Sequence, residues 1–250
     1  MPTRSFIIPV LDFSPHSPFN IQTLLEDLGN IPGEVICVFN SIEVFDKIHH
    51  HPRIDKYCLN SHNAGVSRSW NIGVNLAEGR SAFFLNADLH VTAKAVDTLE
   101  AYLFALDKTL IVSPEGKRID YERFKRQLNT EFDFPNELIL EQFNASNIQT
   151  PVKVHDFMGA FFAVHMERFL YHQMSFDVQF SPCFLEEWNM GLQALEKGLY
   201  CYTVPTEGYA HQMGISLADG SKTVNYFGTI MRRDDILLNN ARAFAKKWLR

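Results

Sequence analysis

The sequence has no apolar run approaching the roughly 18 to 20 residues needed to cross a bilayer, and Met1 to Ser5 lead straight into a strand-like stretch rather than a secretory leader. A soluble, cytoplasmic protein with no transmembrane segment is the expectation. A block of clustered Lys and Arg is also lacking: 23 basic residues stand against 29 acidic ones, for a net charge of −6. Nucleic acid is therefore disfavoured as a partner, because phosphate contacts need concentrated positive charge. Only the C-terminal Arg242, Lys246, Lys247 and Arg250 are loosely basic, and they read as a solvated helix face. Cysteine is scarce, with four residues and no C-x-x-C pair. Cys37 and Cys201 fall inside apolar runs, so buried, reduced thiols are expected rather than bridges or zinc ligands.

What is present is enough apolar material, 46% of 250 residues, to bury the core of one large α/β domain. The most informative stretch runs from Asn60 to His90. Small and polar residues come first, then Val66, Trp70, Val74 and Ala77 at near-helical spacing behind a Gly65 turn. An apolar run, Ala82 to Leu85, follows and ends in Asn86, Ala87 and Asp88. A continuous apolar run of this length reads as a strand covered on both faces. Ligands of open α/β sheets bind beyond the carboxyl ends of the strands, so Asp88 is placed to face a ligand or a metal.

The rest of the chain supplies alternating elements. Ser5 to Leu11 is a strand interrupted by Pro9, and Asp12 begins the next loop, as a site residue or simply as a turn former. Ile21, Leu24, Leu25 and Leu28 share a helical face, and Glu34 to Phe39 is a second buried strand. Strand, helix, strand in this order implies a right-handed crossover and a parallel sheet. His49, His50 and His51 read as an exposed loop. Ala95 to Leu106 is an amphipathic helix, and Ile111 to Ser113 a strand. Glu115 to Thr150 is polar and irregular, with Arg118, Arg123, Lys125 and Arg126 interleaved with Tyr121, Phe124, Phe132 and Phe134. Val152 to Val164 reads as one strand whose Gly159 marks a close approach, Phe176 and Phe180 as core aromatics, and Leu199 to Val204 as the last strand. Glu186 and Glu187 open a helix that stops at Gly198; adjacent acids there serve either catalysis or the helix dipole, and both readings stay open. Val224 to Arg250 follows a helical register, expected to pack across the sheet or to form a homodimer contact.

The order N-x-G-x-S-x-x-x-N-x-G, then A-x-G, then a strand ending L-N-x-D, resembles the family 2 inverting glycosyltransferases of the GT-A fold, particularly the rhamnosyltransferase-like branch. The matching residues are Asn63, Gly65, Ser67, Asn71, Gly73, Ala77, Gly79, Leu85, Asn86 and Asp88. The resemblance implies a single α/β GT-A domain over residues 1–220, a mostly parallel central sheet flanked by helices, and a C-terminal helical extension over residues 221–250. It implies transfer of a sugar from a nucleotide-diphosphate donor to a glycan or other acceptor hydroxyl with inversion, assisted by Mn²⁺ or Mg²⁺. Glu187, in F-L-E-E-W, stands where the family carries its general base, with Glu186 beside it. Asp88 is the first metal ligand implied, with His211, in the family-like Y-A-H-Q-M-G-I-S, and His90 as further candidates. Nucleotide contacts are implied for Pro9, Leu11, Asp12, Asn40, Asn63 and Gly65, and for Arg68, Asn71, Asn86 and Ala87. The chain departs from the pattern at Phe39, where the family has a base-reading Asp, so either Asn40 takes that role or the base is held differently. Segment 115–150 is where acceptor contacts are expected. Two other classes compete. A nucleotidyltransferase would need a glycine-rich, Lys- or Arg-bearing phosphate loop that Ser5 to Ser14 lacks, and a non-catalytic or degenerate GT-A domain would bind a nucleotide or glycan only.

Overall fold

The computed structural model describes residues 3–127, 138–212 and 223–248. In chain order these form β1 (Arg4–Val10), α1 (Ile21–Asp27), β2 (Glu34–Phe39), α2 (Ile42–Ile48), β3 (Lys56–Leu59), α3 (Val66–Leu76), β4 (Ser81–Leu85), β5 (Leu89–Val91) and α4 (Ala93–Ala105). They continue with β6 (Thr109–Ser113), β7 (Glu115–Ile119), α5 (Tyr121–Gln127), β8 (Ile139–Asn144), β9 (Val152–Val154), β10 (Asp156–Phe157), β11 (Phe161–His165) and α6 (Met166–Tyr171). The last described elements are α7 (Glu186–Glu196), β12 (Tyr200–Thr203), β13 (Tyr209–His211), β14 (Thr223–Tyr226), β15 (Thr229–Arg232) and α8 (Arg233–Trp248).

Eight strands make the main sheet in the order β3-β2-β1-β4-β11-β6-β12-β9. β1, β2, β3 and β4 pair in parallel and β12 pairs in parallel with β6, while β11 and β9 run against their neighbours. Strict alternation splits β1 between two cores: Phe6, Ile8 and Val10 pack under α1 and α4, whereas Ile7 meets Trp70 and Val74 of α3. Helix α3 seats this closely because Gly73 carries no Cβ, which would overlap the Ile7 side chain. Helix α1 starts at Asn20, whose Oδ1 accepts from the amides of Gln22 and Thr23 while Thr23 Oγ1 accepts from the Asn20 amide. Phe84 and Phe162, opposite each other on β4 and β11, stack with centroids 4.6 Å apart.

Several expectations are corrected. Residues 115–150 are not irregular throughout, since β7 pairs with both β8 and β10 in a three-stranded arm. The run 152–164 is three strands, because the chain leaves the sheet at His155 to join that arm and returns only at Phe161. β12 is not the last strand; β13 pairs with β5 and β14 with β15. The C-terminal helical register begins only at Arg233, since Tyr226, Phe227 and Ile230 belong to the preceding hairpin. Helix α8 buries Ile236, Asn240, Ala241 and Phe244, and Ala241 and Phe244 pack with Ile119, Phe124, Phe180 and Trp188 of the same chain rather than across the sheet. The histidine run follows α2 as a loop, but only His50 is exposed, and His49 stacks on Phe45 at 4.1 Å. Phe132, Phe134, Gly214, Ser216, Arg250 and the boundary at 220 lie outside the described residues.

Candidate active site

The carboxyl ends of β1, β2 and β4 open on one cleft of roughly 1200 Å³, whose far wall is the arm β7–β8 and the start of α7. Pro9, Leu11, Asp12, Asn40, Asn63, Gly65, Asn86 and Ala87 all line it. So do Asp88 on one side and Glu186 and Glu187 on the other.

Asp88 is brought into place by the β5–β13 pairing, which sets His211 opposite Leu89. Its Oδ1 lies 3.1 Å from His211 Nε2, and the other ring nitrogen of His211 is buried with no hydrogen-bond partner. With Nε2 unprotonated, the carboxylate and imidazole side by side at the cleft are two groups that could ligate a divalent cation, the nitrogen tilting the preference from Mg²⁺ toward Mn²⁺. Among the described residues no third His, Cys, Asp or Glu converges on them. His90 in particular is turned aside: Nδ1 meets Asp27 Oδ2 at 2.7 Å and Nε2 meets the Pro18 carbonyl at 2.8 Å. Both ring nitrogens are thus engaged away from Asp88.

Three residues expected at the nucleotide are occupied otherwise. Asn40 is buried, its Nδ2 donating to Ser69 Oγ and its Oδ1 accepting from Asn60 Nδ2 and the Ala64 amide. Its amide thus fixes the turn before α3 and is saturated as a base reader. Asn71 lies outside the cleft and brackets Phe176, donating to its carbonyl at 2.7 Å and accepting from its amide at 3.0 Å. Arg68 is also outside, directed at Tyr226 Oη and the Phe227 ring of the β14–β15 hairpin. Asn63 both lines the cleft and holds that hairpin, donating to the Asn225 carbonyl at 2.8 Å.

The acidic wall is built at the start of α7. Phe184 (φ 80°) and Leu185 (φ 73°) precede it in the left-handed region, at a cost of about 1–3 kcal/mol each for such non-glycine residues. Glu186 is buried, and Glu187 is partly open to the cleft. Amide dipoles at a helix start favour anions, yet burial and neighbouring charge win. Burial, then the charge of Asp156, pushes the Glu187 carboxyl up to about 8, against its own backbone hydrogen bond and Lys117. Burial and the charge of Glu187 hold Glu186 well above the carboxylate range. Burial likewise raises Asp156, despite Lys117 Nζ lying 3.2 Å from its Oδ2. Lys117 and Asp156 were missed from sequence; an aspartate inside an apolar run needs a partner when buried, and that is the signal that marked it.

Gly159, singled out as a site of close approach, makes room for a side chain of this wall: a Cβ there would overlap the Glu187 carboxylate. Gly65, at φ +82°, lets the Val66 amide donate to the Pro182 carbonyl at 2.9 Å, tying the start of α3 to the loop before α7.

The arrangement can be set beside solved structures. A crystal structure of GalNAc-T7 with UDP, GalNAc and Mn²⁺ superposes with a TM-score of 0.61 at 14% identity, covering 84% of this chain and 44% of that one. The fold is GT-A. A second GT-A structure, residues 1–349 of S. aureus TarS in complex with UDP-GlcNAc, matches with a TM-score of 0.55 at 13% identity, covering 83% of this chain and 57% of that one. The chain thus spans about half the length of the GT-A proteins it matches. No family model matches the sequence, and no curated protein does.

Proposed function

We propose that this GT-A domain transfers a sugar from a nucleoside-diphosphate donor to an acceptor hydroxyl with inversion at the anomeric carbon. The observation that carries the reading is that Asp88 and Glu187 open on the same cleft, an acid for the donor end and a weakly acidic carboxyl for the acceptor end. The donor nucleotide lies along the loops after β1, β2 and β4, and the acceptor enters against β7 and α7.

Asp88 and His211 are the residues that would hold a divalent cation, which when bound neutralises charge on the departing diphosphate. The steps on this chain's own groups are few. Glu187 accepts the proton of the acceptor hydroxyl as that oxygen bonds to the anomeric carbon. The bond from that carbon to the diphosphate oxygen breaks on the opposite face, and its electron pair leaves with the diphosphate. A base whose pKa lies near the working pH gives general-base catalysis of about 10²- to 10⁴-fold. Glu186, whose carboxyl is raised by burial, stands beside Glu187 to hydrogen-bond the acceptor.

The test is incubation with a panel of UDP-, GDP- and dTDP-sugars, with and without Mn²⁺, following nucleoside-diphosphate release. Release from one donor that requires Mn²⁺ and drops in Glu187→Gln supports the proposal. Equal release by wild type and Glu187→Gln contradicts the assignment of the base.

A further inference from the structure

Helix α8, the element farthest along the described chain, makes polar contacts at the segment that launches the acidic wall. Asn240 is buried on α8, and its Nδ2 donates to the carbonyls of Phe180 at 2.8 Å, Cys183 at 2.9 Å and Phe184 at 3.0 Å. An amide nitrogen has two hydrogens, so three carbonyls share them in one convergent cradle. One turn further along α7, Asn189 Oδ1 accepts from Lys247 Nζ at 2.8 Å and Trp248 Nε1 at 3.1 Å, again from α8. The bracketed segment contains both left-handed residues, Phe184 and Leu185, immediately before Glu186. Such a conformation persists only where its surroundings over-determine it, and the Asn240 amide is the buried group that gathers the carbonyls on its N-terminal side.

We propose that Asn240 is a positioning residue for Glu187: it holds the loop 180–185 in the conformation that points the first turn of α7 into the cleft. The inference rests on Glu187 being the base, and deepens that reading by making the C-terminal helix part of the acceptor-side machinery. Asp88 and the loops after β1, β2 and β4 lie on other elements, so donor binding changes little, although the Val66 amide links the donor side to the Pro182 carbonyl of this loop.

The experiment compares Asn240→Ala with Ile236→Ala, a core truncation on the same helix that makes none of the three bonds, in the full chain. Thermal midpoint, kcat, donor KM and amide hydrogen exchange are read for each. In Asn240→Ala, kcat falls by about tenfold or more while donor KM stays within about twofold, because misplacing a reacting group costs the chemical step rather than donor binding. Exchange of the Val66, Ser181 and Asn189 amides, which donate to the Pro182, Val178 and Leu185 carbonyls, accelerates while β4 and the rest of α3 keep their protection. Ile236→Ala, with a comparable loss of thermal midpoint, keeps most of its kcat. A kcat loss that merely tracks the midpoint in both variants overturns the proposal, as does unchanged exchange of the Val66, Ser181 and Asn189 amides in Asn240→Ala. If wild type turns over no donor at all, the transferase reading fails, and the exchange comparison alone decides whether Asn240 holds the loop.

Discussion

Gly159 and Glu187 fit each other by subtraction: the carboxylate of Glu187 lies where a Cβ on Gly159 would be, so the acidic wall and the 158–160 loop close together only because residue 159 has no side chain. Gly159→Ala therefore displaces the carboxylate or the loop. Activity should fall by about tenfold or more, since small displacements of a reacting group are costly, while the far-UV circular dichroism stays that of wild type. Full activity in Gly159→Ala would remove Glu187 from the reacting geometry.

The elevated Glu187 carboxyl sets a pH dependence. The proposed base would work deprotonated, so the rate of transfer should rise with pH through an inflection near 8. Stability runs the other way. A carboxyl raised in the folded chain binds its proton more tightly there than when unfolded, so the stability it contributes is full below its ordinary value near 4.5 and is lost as pH rises toward about 8. Glu187→Gln should abolish the rate inflection and flatten the decline of the thermal midpoint across that window.

Lys117 and Asp156 act on Glu187 with opposite signs, Lys117 lowering and Asp156 raising its pKa. Lys117→Met should move the rate inflection upward and Asp156→Asn should move it downward. A pH–rate series on the two variants checks this, and shifts in the same direction would show that the pair only shapes the cleft.

Asp88→Asn removes the carboxylate expected at the diphosphate while keeping its shape and the approach of His211. In a thermal-shift assay, Mn²⁺ together with the preferred nucleoside diphosphate should raise the midpoint of wild type, as any ligand of the folded state does. The same mixture should raise that of Asp88→Asn far less. His90→Ala, whose imidazole is tied to Asp27 and Pro18, should retain the full shift.

Legibility from sequence followed burial. β1, β2, β4 and α3 announce themselves as continuous apolar runs or a helical face because both sides of the sheet are covered, and Asp88 follows from standing at the end of β4. The arm escaped because β8 is half polar, with Leu140, Glu141 and Gln142 exposed, so its alternation is weak. α2 and β3 escaped for a similar reason: α2 buries only Val44 and Ile48, and β3 is a four-residue edge strand. The roles of His90, Asn71 and Arg68 were illegible because their partners, Asp27, Phe176 and Tyr226, lie far off in sequence and meet them only in the fold. The pairing of α8 with the start of α7 was hidden likewise, since nothing local in 233–248 distinguishes a helix that spans the sheet from one that cradles a loop.

The central claim is that Asp88 anchors a nucleoside diphosphate across the cleft from Glu187. Calorimetric titration of UDP, GDP and dTDP into the full chain with Mn²⁺ tests it most directly. The account predicts that one of the three binds only with Mn²⁺ present, that Asp88→Asn loses this binding, and that Glu187→Gln keeps it. Absence of binding by all three, or equal binding by wild type and Asp88→Asn, would contradict it.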